Sequence, residues 1–278
     1  MNCIRMIRTL VAAVAVIATA AQLAAQTRYV LVSNLTQKVL TVDAATPAET
    51  VYQADYTAGR NQHWIVSRPA ADGTVQIRNV ATGRVLEYAD TANGPAPKAR
   101  RLVNGRLQQQ WRIESLGDDA AAIVNEYSGL ELTIYHWFLD EKAPIILADT
   151  WGSEMYSKWL LVPAYSTPTP ATLDWSVSPV DDVSARGTRN AIRVMFKMTS
   201  APNGQGSVVW IEGLYLASTD RWISGDPLPV YRGDVALNWP VEAYALGVDN
   251  AWHLIGSTTF VAPPLPPPGG GQPPMRGK

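Results

Sequence analysis

Short runs that alternate apolar and polar positions, separated by turn formers, fill residues 27–163. The first set is Tyr29-Val30-Leu31-Val32, Val39-Leu40-Thr41-Val42, Val51-Tyr52-Gln53 and Trp64-Ile65-Val66. A second set is Val75-Gln76-Ile77, Arg84-Val85-Leu86-Glu87-Tyr88 and Trp111-Arg112-Ile113. The third comprises Ala122-Ile123-Val124, Glu131-Leu132-Thr133-Ile134, Pro144-Ile145-Ile146-Leu147 and Trp159-Leu160-Leu161-Val162. β-Branched and aromatic residues dominate, and Asp72-Gly73, Thr82-Gly83, Asn104-Gly105 and Ser128-Gly129 punctuate the runs, which is the signature of strands joined by tight turns. The sets are in phase. Trp64, Trp111 and Trp159 are 47 and 48 residues apart, each closing a Gln-x-Trp tripeptide or, at Ser157-Lys158-Trp159, its glutamine-less version. The apolar anchors Leu40, Leu86 and Leu132 are spaced by 46 and 46, and an asparagine precedes each, at Asn34, Asn79 and Asn125. A period of this size marks a repeated supersecondary unit that hides its apolar face only against its copies. About four strands in each of three units, roughly twelve in all, suffice to close a small barrel.

In a strand, residues two apart share a face, so Trp64 with Val66, Trp111 with Ile113 and Trp159 with Leu161 point inward. The tripeptide glutamines then have backbone groups to satisfy where their strands leave the barrel.

The stretch from Lys38-Val39-Leu40-Thr41-Val42-Asp43 through Val51-Tyr52-Gln53-Ala54 to Asn61-Gln62-His63-Trp64 resembles one repeat of a ricin B-type β-trefoil lectin. Arg84 to Trp111 and Leu130 to Trp159 are similar. The resemblance covers about half of the chain. It implies a three-lobed trefoil with one shallow glycan site possible per lobe. It also implies an aspartate after each anchor to grip sugar hydroxyls. Here those positions hold Thr41, Glu87 and Thr133, so the second lobe alone has a carboxylate. The aromatic platform at the end of the third strand is replaced by Ala54, Arg101 and Ala148. The asparagine before Gln-x-Trp survives as Asn61, with Gln108 and Tyr156 elsewhere. Other ligand-binding candidates are loop residues. Lobe 3 carries Tyr135 and Trp137 beyond its second strand, and Asp149 and Trp151 beyond its third; lobe 1 offers Asp43, Asp55, Tyr56 and Asn61. A ring beside a carboxylate can stack a sugar face and bond its hydroxyls. The equal alternative for these aromatics is packing on the second domain. One such contact contributes ~0.5–1.5 kcal/mol, so a single site is near the millimolar level, about −4 kcal/mol.

Residues 1–26 read as a secretory signal peptide, with Arg5 and Arg8 ahead of an apolar stretch from Leu10 to Ala21 and small residues up to Ala25. This stretch is shorter than the ~20 apolar residues that span a membrane. The one cysteine, Cys3, lies ahead of the stretch, so export leaves a chain without disulfide or thiol chemistry. The expected destination is of a bacterial type: periplasmic or secreted. After the trefoil come a Pro/Thr spacer at 164–172 and an antiparallel β-sandwich at 173–262, of which an immunoglobulin-like spacer is one form. Strands are expected at Leu173–Val177, Ala191–Met198, Ser207–Ile211, Leu214–Leu216, Val235–Trp239, Ala243–Leu246 and Trp252–Ile255; in Ile192, Val194, Phe196 and Met198 the apolar alternation is clear, with Arg193 and Lys197 on the opposite face. Residues 263–278 are Pro- and Gly-rich and bury almost nothing, the pattern of a disordered tail.

Composition narrows the partners. There are 23 Lys plus Arg against 24 Asp plus Glu, with no basic stripe for nucleic acid and no polybasic segment for a membrane surface. His63, His136 and His253 lack metal-ligand spacing, and no nucleophile-elbow, zincin or phosphate-loop motif is present. Arg232-Gly233-Asp234 and Asn34-Leu35-Thr36 are read as a turn and a piece of the repeat. The sequence therefore predicts an all-β, non-catalytic glycan-binding protein without cofactor or metal. The alternative is a structural or adhesive envelope or matrix protein whose trefoil packs against protein after losing its sugar site.

Overall fold

The computed structural model describes residues 27–43, 50–116, 120–135, 142–149, 157–176, 182–216, 219–226, 228, 230 and 237–262. The chain divides into two compact units, Met1–Ser166 and Thr167–Lys278. Of the residues discussed above, 1–26, His136, Trp137, Trp151, Tyr156, 232–234 and 263–278 lie outside the described residues.

The first unit holds a 12-stranded sheet. In chain order its strands are β1 (Thr27–Ser33), β2 (Val39–Val42), β3 (Val51–Ala54), β4 (His63–Val66), β5 (Ile77–Asn79) and β6 (Val85–Glu87). They continue as β7 (Lys98–Arg100), β8 (Trp111–Ser115), β9 (Ala120–Asn125), β10 (Glu131–Ile134), β11 (Ile145–Ala148) and β12 (Lys158–Pro163). Six of them form a ring: β1 pairs β4, β4 pairs β5, β8 pairs β9, β9 pairs β12 and β12 pairs β1. The remaining gap, between β5 and β8, is bridged by Val75 and Trp111, which exchange both backbone hydrogen bonds at 2.8 and 3.0 Å. Closure removes the exposed edges that an open sheet would present. The other six strands make three hairpins, β2–β3, β6–β7 and β10–β11. These touch one another through the isolated bridges Thr50–Lys98 and Tyr52–Pro144 and through Gly94 N–H donating to Leu147 O at 2.9 Å.

One core serves all three lobes. Trp64, Trp111 and Trp159 are fully buried together with Leu40, Leu86 and Leu132, and with Leu31, Ile77 and Ile123, another trio at the same interval. Val66, Ile113 and Leu161 pack partly buried against them, as the two-residue strand period requires. Each indole N–H donates to the carbonyl of its own lobe's anchor: Trp64 to Leu40 (2.8 Å), Trp111 to Leu86 (3.0 Å) and Trp159 to Leu132 (2.9 Å). The two periodic signals in the sequence are thus the two ends of one hydrogen bond.

The asparagine pattern is corrected in the first lobe. Asn79 Oδ1 accepts from Ala81 and Thr82 N–H, and its Nδ2 donates to Asn61 O and His63 O, which flank Gln62. Asn125 does the same around Gln109, donating to Gln108 O and Gln110 O. In lobe 1 the equivalent residue is Ser33 rather than Asn34. Ser33 N–H donates to Lys38 O as Asn79 does to Arg84 O and Asn125 to Leu130 O. The turn then closes on Gln37 at φ +55°, where the other lobes use Gly83 and Gly129 at +68° and +72°.

The second unit is one 7-stranded antiparallel sheet in the order β13-β14-β17-β16-β15-β18-β19. Its strands are β13 (Thr172–Ser176), β14 (Asp182–Arg186), β15 (Arg193–Thr199), β16 (Val208–Leu216), β17 (Arg221–Ser224), β18 (Leu237–Leu246) and β19 (Trp252–Ala262). The sheet curls until its two edges meet, making a sandwich-like, nearly closed barrel. Ala171 N–H donates to Ile255 O at 2.7 Å, and Trp175 and Phe260 stack edge to face at 5.0 Å. Ile192, Val194, Phe196 and Met198 are buried inside with Trp222 and Trp239. Of the segment read as a spacer, Thr169 N–H bonds Arg189 O at 3.1 Å, within this unit.

Candidate functional site

In the first two lobes the residue after the anchor faces the tripeptide glutamine, because the loop after the third strand folds back along the second. In lobe 1, Gln62 Oε1 accepts from Thr57 N–H (2.8 Å), and its Nε2 donates to Asp55 O (2.7 Å) and reaches Thr41 Oγ1 (3.4 Å). In lobe 2, Gln109 Oε1 accepts from Val103 N–H (2.8 Å), and its Nε2 donates to Arg101 O (2.8 Å) and to Glu87 Oε2 (2.6 Å). Arg106 Nη2 lies 3.3 Å from the other carboxylate oxygen, Glu87 Oε1. Glu87 is therefore a buried carboxylate held on both oxygens by donors. Thr41 and Thr133, at the matching places, are buried hydroxyls.

Glu87 lines a cleft of about 230 Å³ together with Tyr88, Asp90, Lys98 and Arg100. This is small beside the ~300–1,000 Å³ pockets that enclose drug-sized ligands. The Tyr88 hydroxyl donates to Ala92 O. Burial, and then the nearby Asp90 charge, push the Tyr88 phenol above its usual pKa, so it stays a donor at neutral pH. Asp90 Oδ1 accepts from Thr91 and Ala92 N–H at 2.7 and 3.0 Å and shapes the loop that walls the cleft. By register, Arg100 opposite Val85 matches Ala54 opposite Val39 and Ala148 opposite Glu131. The platform position in lobe 2 is thus Arg100, one residue before the Arg101 read from the sequence.

The loop candidates separate. Ile134 pairs with Ile145 and Glu131 with Ala148, so Tyr135 and Asp149 sit at opposite ends of the β10–β11 hairpin, roughly 17 Å apart along the strands at ~3.4 Å per residue. An antiparallel pair always sends the residues after its two strands to opposite ends. The sequence places both segments in the same lobe, and register alone reveals that they diverge. Lobe 1 divides in the same way. Asn61 lies toward the Asp43 end, where its Nδ2 donates to Val42 O at 3.1 Å. At the other end, Lys38 Nζ pairs with Asp55 Oδ1 at 2.7 Å, and buried Tyr56 places its hydroxyl 3.0 Å from His63 Nε2. Among the described residues, no group of three or more His, Cys, Asp or Glu side chains gathers as a metal site requires.

Residues 19–100 match the family model described as ricin-type beta-trefoil lectin domain-like. The trefoil of the first unit is ricin-type lectin-like over those residues. No curated protein matches the chain. Among solved structures, the designed threefold-symmetric protein ThreeFoil is 28% identical with a TM-score of 0.45, over 48% of this chain and 96% of that one. The ricin B-like lectin of Macrolepiota procera, solved in complex with lactose, is 16% identical with a TM-score of 0.43, over 49% and 95%. An exo-β-1,3-galactanase from Clostridium thermocellum is 26% identical with a TM-score of 0.44, over 49% of this chain and 30% of its own. Of the three anchor-plus-one residues, Thr41, Glu87 and Thr133, the carboxylate is Glu87, in the cleft of the second lobe.

Proposed function

We propose that this chain is an exported, non-catalytic protein that binds carbohydrate of a cell surface or extracellular matrix through the second lobe of its trefoil. The observation that carries the reading is Glu87. It is the one carboxylate at the anchor-plus-one positions, it lines a cleft, and Gln109 and Arg106 fix it in place. A carboxylate oriented this way accepts hydrogen bonds from sugar hydroxyls without having to be ordered on binding. Export rests on the basic-then-apolar pattern of residues 1–26.

The test is a glycan array with the exported form of the chain and its Glu87→Gln variant. Signal should fall at least about tenfold, the scale of one charge-assisted hydrogen bond exchanged for a neutral one. An undiminished Glu87→Gln signal would move the site out of lobe 2.

A second reading, an adhesive or structural protein whose trefoil packs against protein, is favoured by lobe 1. Asp55, Tyr56 and Asn61 there are bonded to Lys38, His63 and Val42 O, and no ring ends any of the three third strands. A blank array together with capture of an envelope protein would establish that reading.

A further inference from the structure

The second unit carries aromatic rings on the outside of its sheet. Even-numbered residues of β16 point outward, and Trp210 is 49% exposed. Across the intervening strand β15, Trp210 meets Tyr244 of β18, with ring centroids 5.3 Å apart and planes tilted by 58°. Lys197 lies between them, its Nζ 6.0 and 5.9 Å from the two centroids. The cross-strand register creates this group: Lys197 stands opposite Trp210 on one side and Glu242 on the other.

Charges around the rings are paired. Lys197 Nζ bonds Glu242 Oε2 at 2.7 Å, the Tyr244 hydroxyl donates to the same oxygen at 2.8 Å, and Arg193 Nη2 meets Glu212 Oε1 at 2.5 Å. The bond from Lys197, and then that from Tyr244, hold the Glu242 carboxyl below its usual range. The bond to Glu242 raises Lys197 and Tyr244 in turn. At neutral pH the face is neutral overall, with half-exposed ion pairs beside an open indole.

We propose that this face, built on Trp210 and Tyr244 and bordered by Glu242, Lys197, Arg193 and Glu212, is a second carbohydrate-binding surface that takes a neutral polysaccharide. Its charge pattern selects that occupant. Nucleic acid or an anionic glycan needs uncompensated cations, and here each cation has its carboxylate. A protein partner or a second copy would have to desolvate two ion pairs, a cost that their mutual attraction often fails to offset. A layer of sugar hydroxyls keeps those pairs hydrogen-bonded while the C–H face of a pyranose covers the indole, an amphipathic ring suited to a surface that is apolar at the centre and wet at the rim.

This site shares no residue with the trefoil cleft, so affinity electrophoresis of the whole chain distinguishes the two. The gels carry a β-1,3-glucan, a β-1,4-xylan or a galactan, and sulfated dextran serves as the anionic control. The chain should be retarded by at least one neutral polymer. Trp210→Ala should weaken that retardation roughly three- to tenfold, Glu242→Gln should weaken it as well, and Glu87→Gln should leave this component standing. Glu242→Gln keeps the side-chain shape and so decides the matter should Trp210→Ala not fold. Several results would overturn the proposal: variants retarded like the unsubstituted chain, no retardation by any neutral polymer, or retardation by sulfated dextran alone. So would a smaller sedimentation coefficient for Trp210→Ala without sugar, which would assign the face to a second copy.

Discussion

At the scale of single residues, the first unit is held by polar side chains that complete the backbone where strands cannot. A buried carbonyl without a partner costs about 1–3 kcal/mol, and each anchor leucine turns its carbonyl toward an indole N–H of its own lobe. That is why tryptophan recurs where phenylalanine would bury comparable area. His63 shows the same logic with a titratable group. It is half-buried, its Nε2 is 3.0 Å from the Tyr56 hydroxyl, and burial, followed by the positive charge of Arg28, lowers its pKa. Well above its ordinary pKa of about 6.5, the imidazole is neutral in both the folded and unfolded states and does not affect stability. As pH falls through that value, the unfolded chain takes up a proton that the fold resists. Stability therefore drops with falling pH until the folded imidazole titrates too. Urea midpoints measured at about pH 7.5 and about pH 5.5 should differ more for the unsubstituted chain than for His63→Gln; equal differences would remove His63 from the account. The tryptophans and glutamines were legible because the chain writes them at a fixed interval. Ser33 was not. It stands where two asparagines stand elsewhere, and the neighbouring Asn34 mimics the pattern one residue late.

Among elements, glycine and proline explain where the sequence misleads. Ser207–Ile211 and Leu214–Leu216 read as two strands because Gly213 falls near the break; they are one, β16. Gly213 is there for close approach and does not mark a turn. A Cβ on it would lie 3.1 Å from Val194 O and 3.3 Å from the Phe196 ring, on the adjacent strand β15. Val235–Trp239 and Ala243–Leu246 likewise read as two strands around Pro240, yet β18 runs through it. On the β15 side pairing ends at Met198 and Val241, so Pro240 lies just past that ladder while it keeps its place opposite Thr259 of β19. The short strands β14 and β17 have little period to display, and the sequence reading passed over both. Gly213→Ala should destabilise the second unit by about 1–3 kcal/mol through overpacking against β15. Faster hydrogen exchange at Val194 and Phe196, with the Leu31 and Ile77 amides unchanged, would place the damage there. Unchanged exchange in β15 would show that the strand yields without cost.

For the whole molecule, what was legible follows from repetition. The first unit states its pattern three times, so one blurred copy, such as Ser157 in place of glutamine, does not hide the period. The second unit states its pattern once, and its aromatic face is visible only after the register brings Trp210, Lys197 and Tyr244 from three strands into contact. The candidate site divides along the same line. Glu87 could be found because the other two lobes set the expectation for its position, while the cleft around it depends on Lys98 and Arg100 of the paired strand. If the chain carries a shallow site on each unit, polymer and monomer should report different affinities. One shallow site is near the millimolar level, about −4 kcal/mol. Two sites engaging one polysaccharide raise retention through effective concentration, typically by ~10²–10⁴, and losing either returns the chain to single-site binding. Glu87→Gln and Trp210→Ala should therefore each reduce retention on a polymer that carries both ligands by more than they reduce binding of a short soluble oligosaccharide. The double variant should lose less than the product of the two single losses, since each single loss already contains the avidity factor. Titration of the four proteins against an immobilised polysaccharide and its short fragments measures this. Losses that multiply independently on both ligands would mean that the two surfaces bind separate molecules.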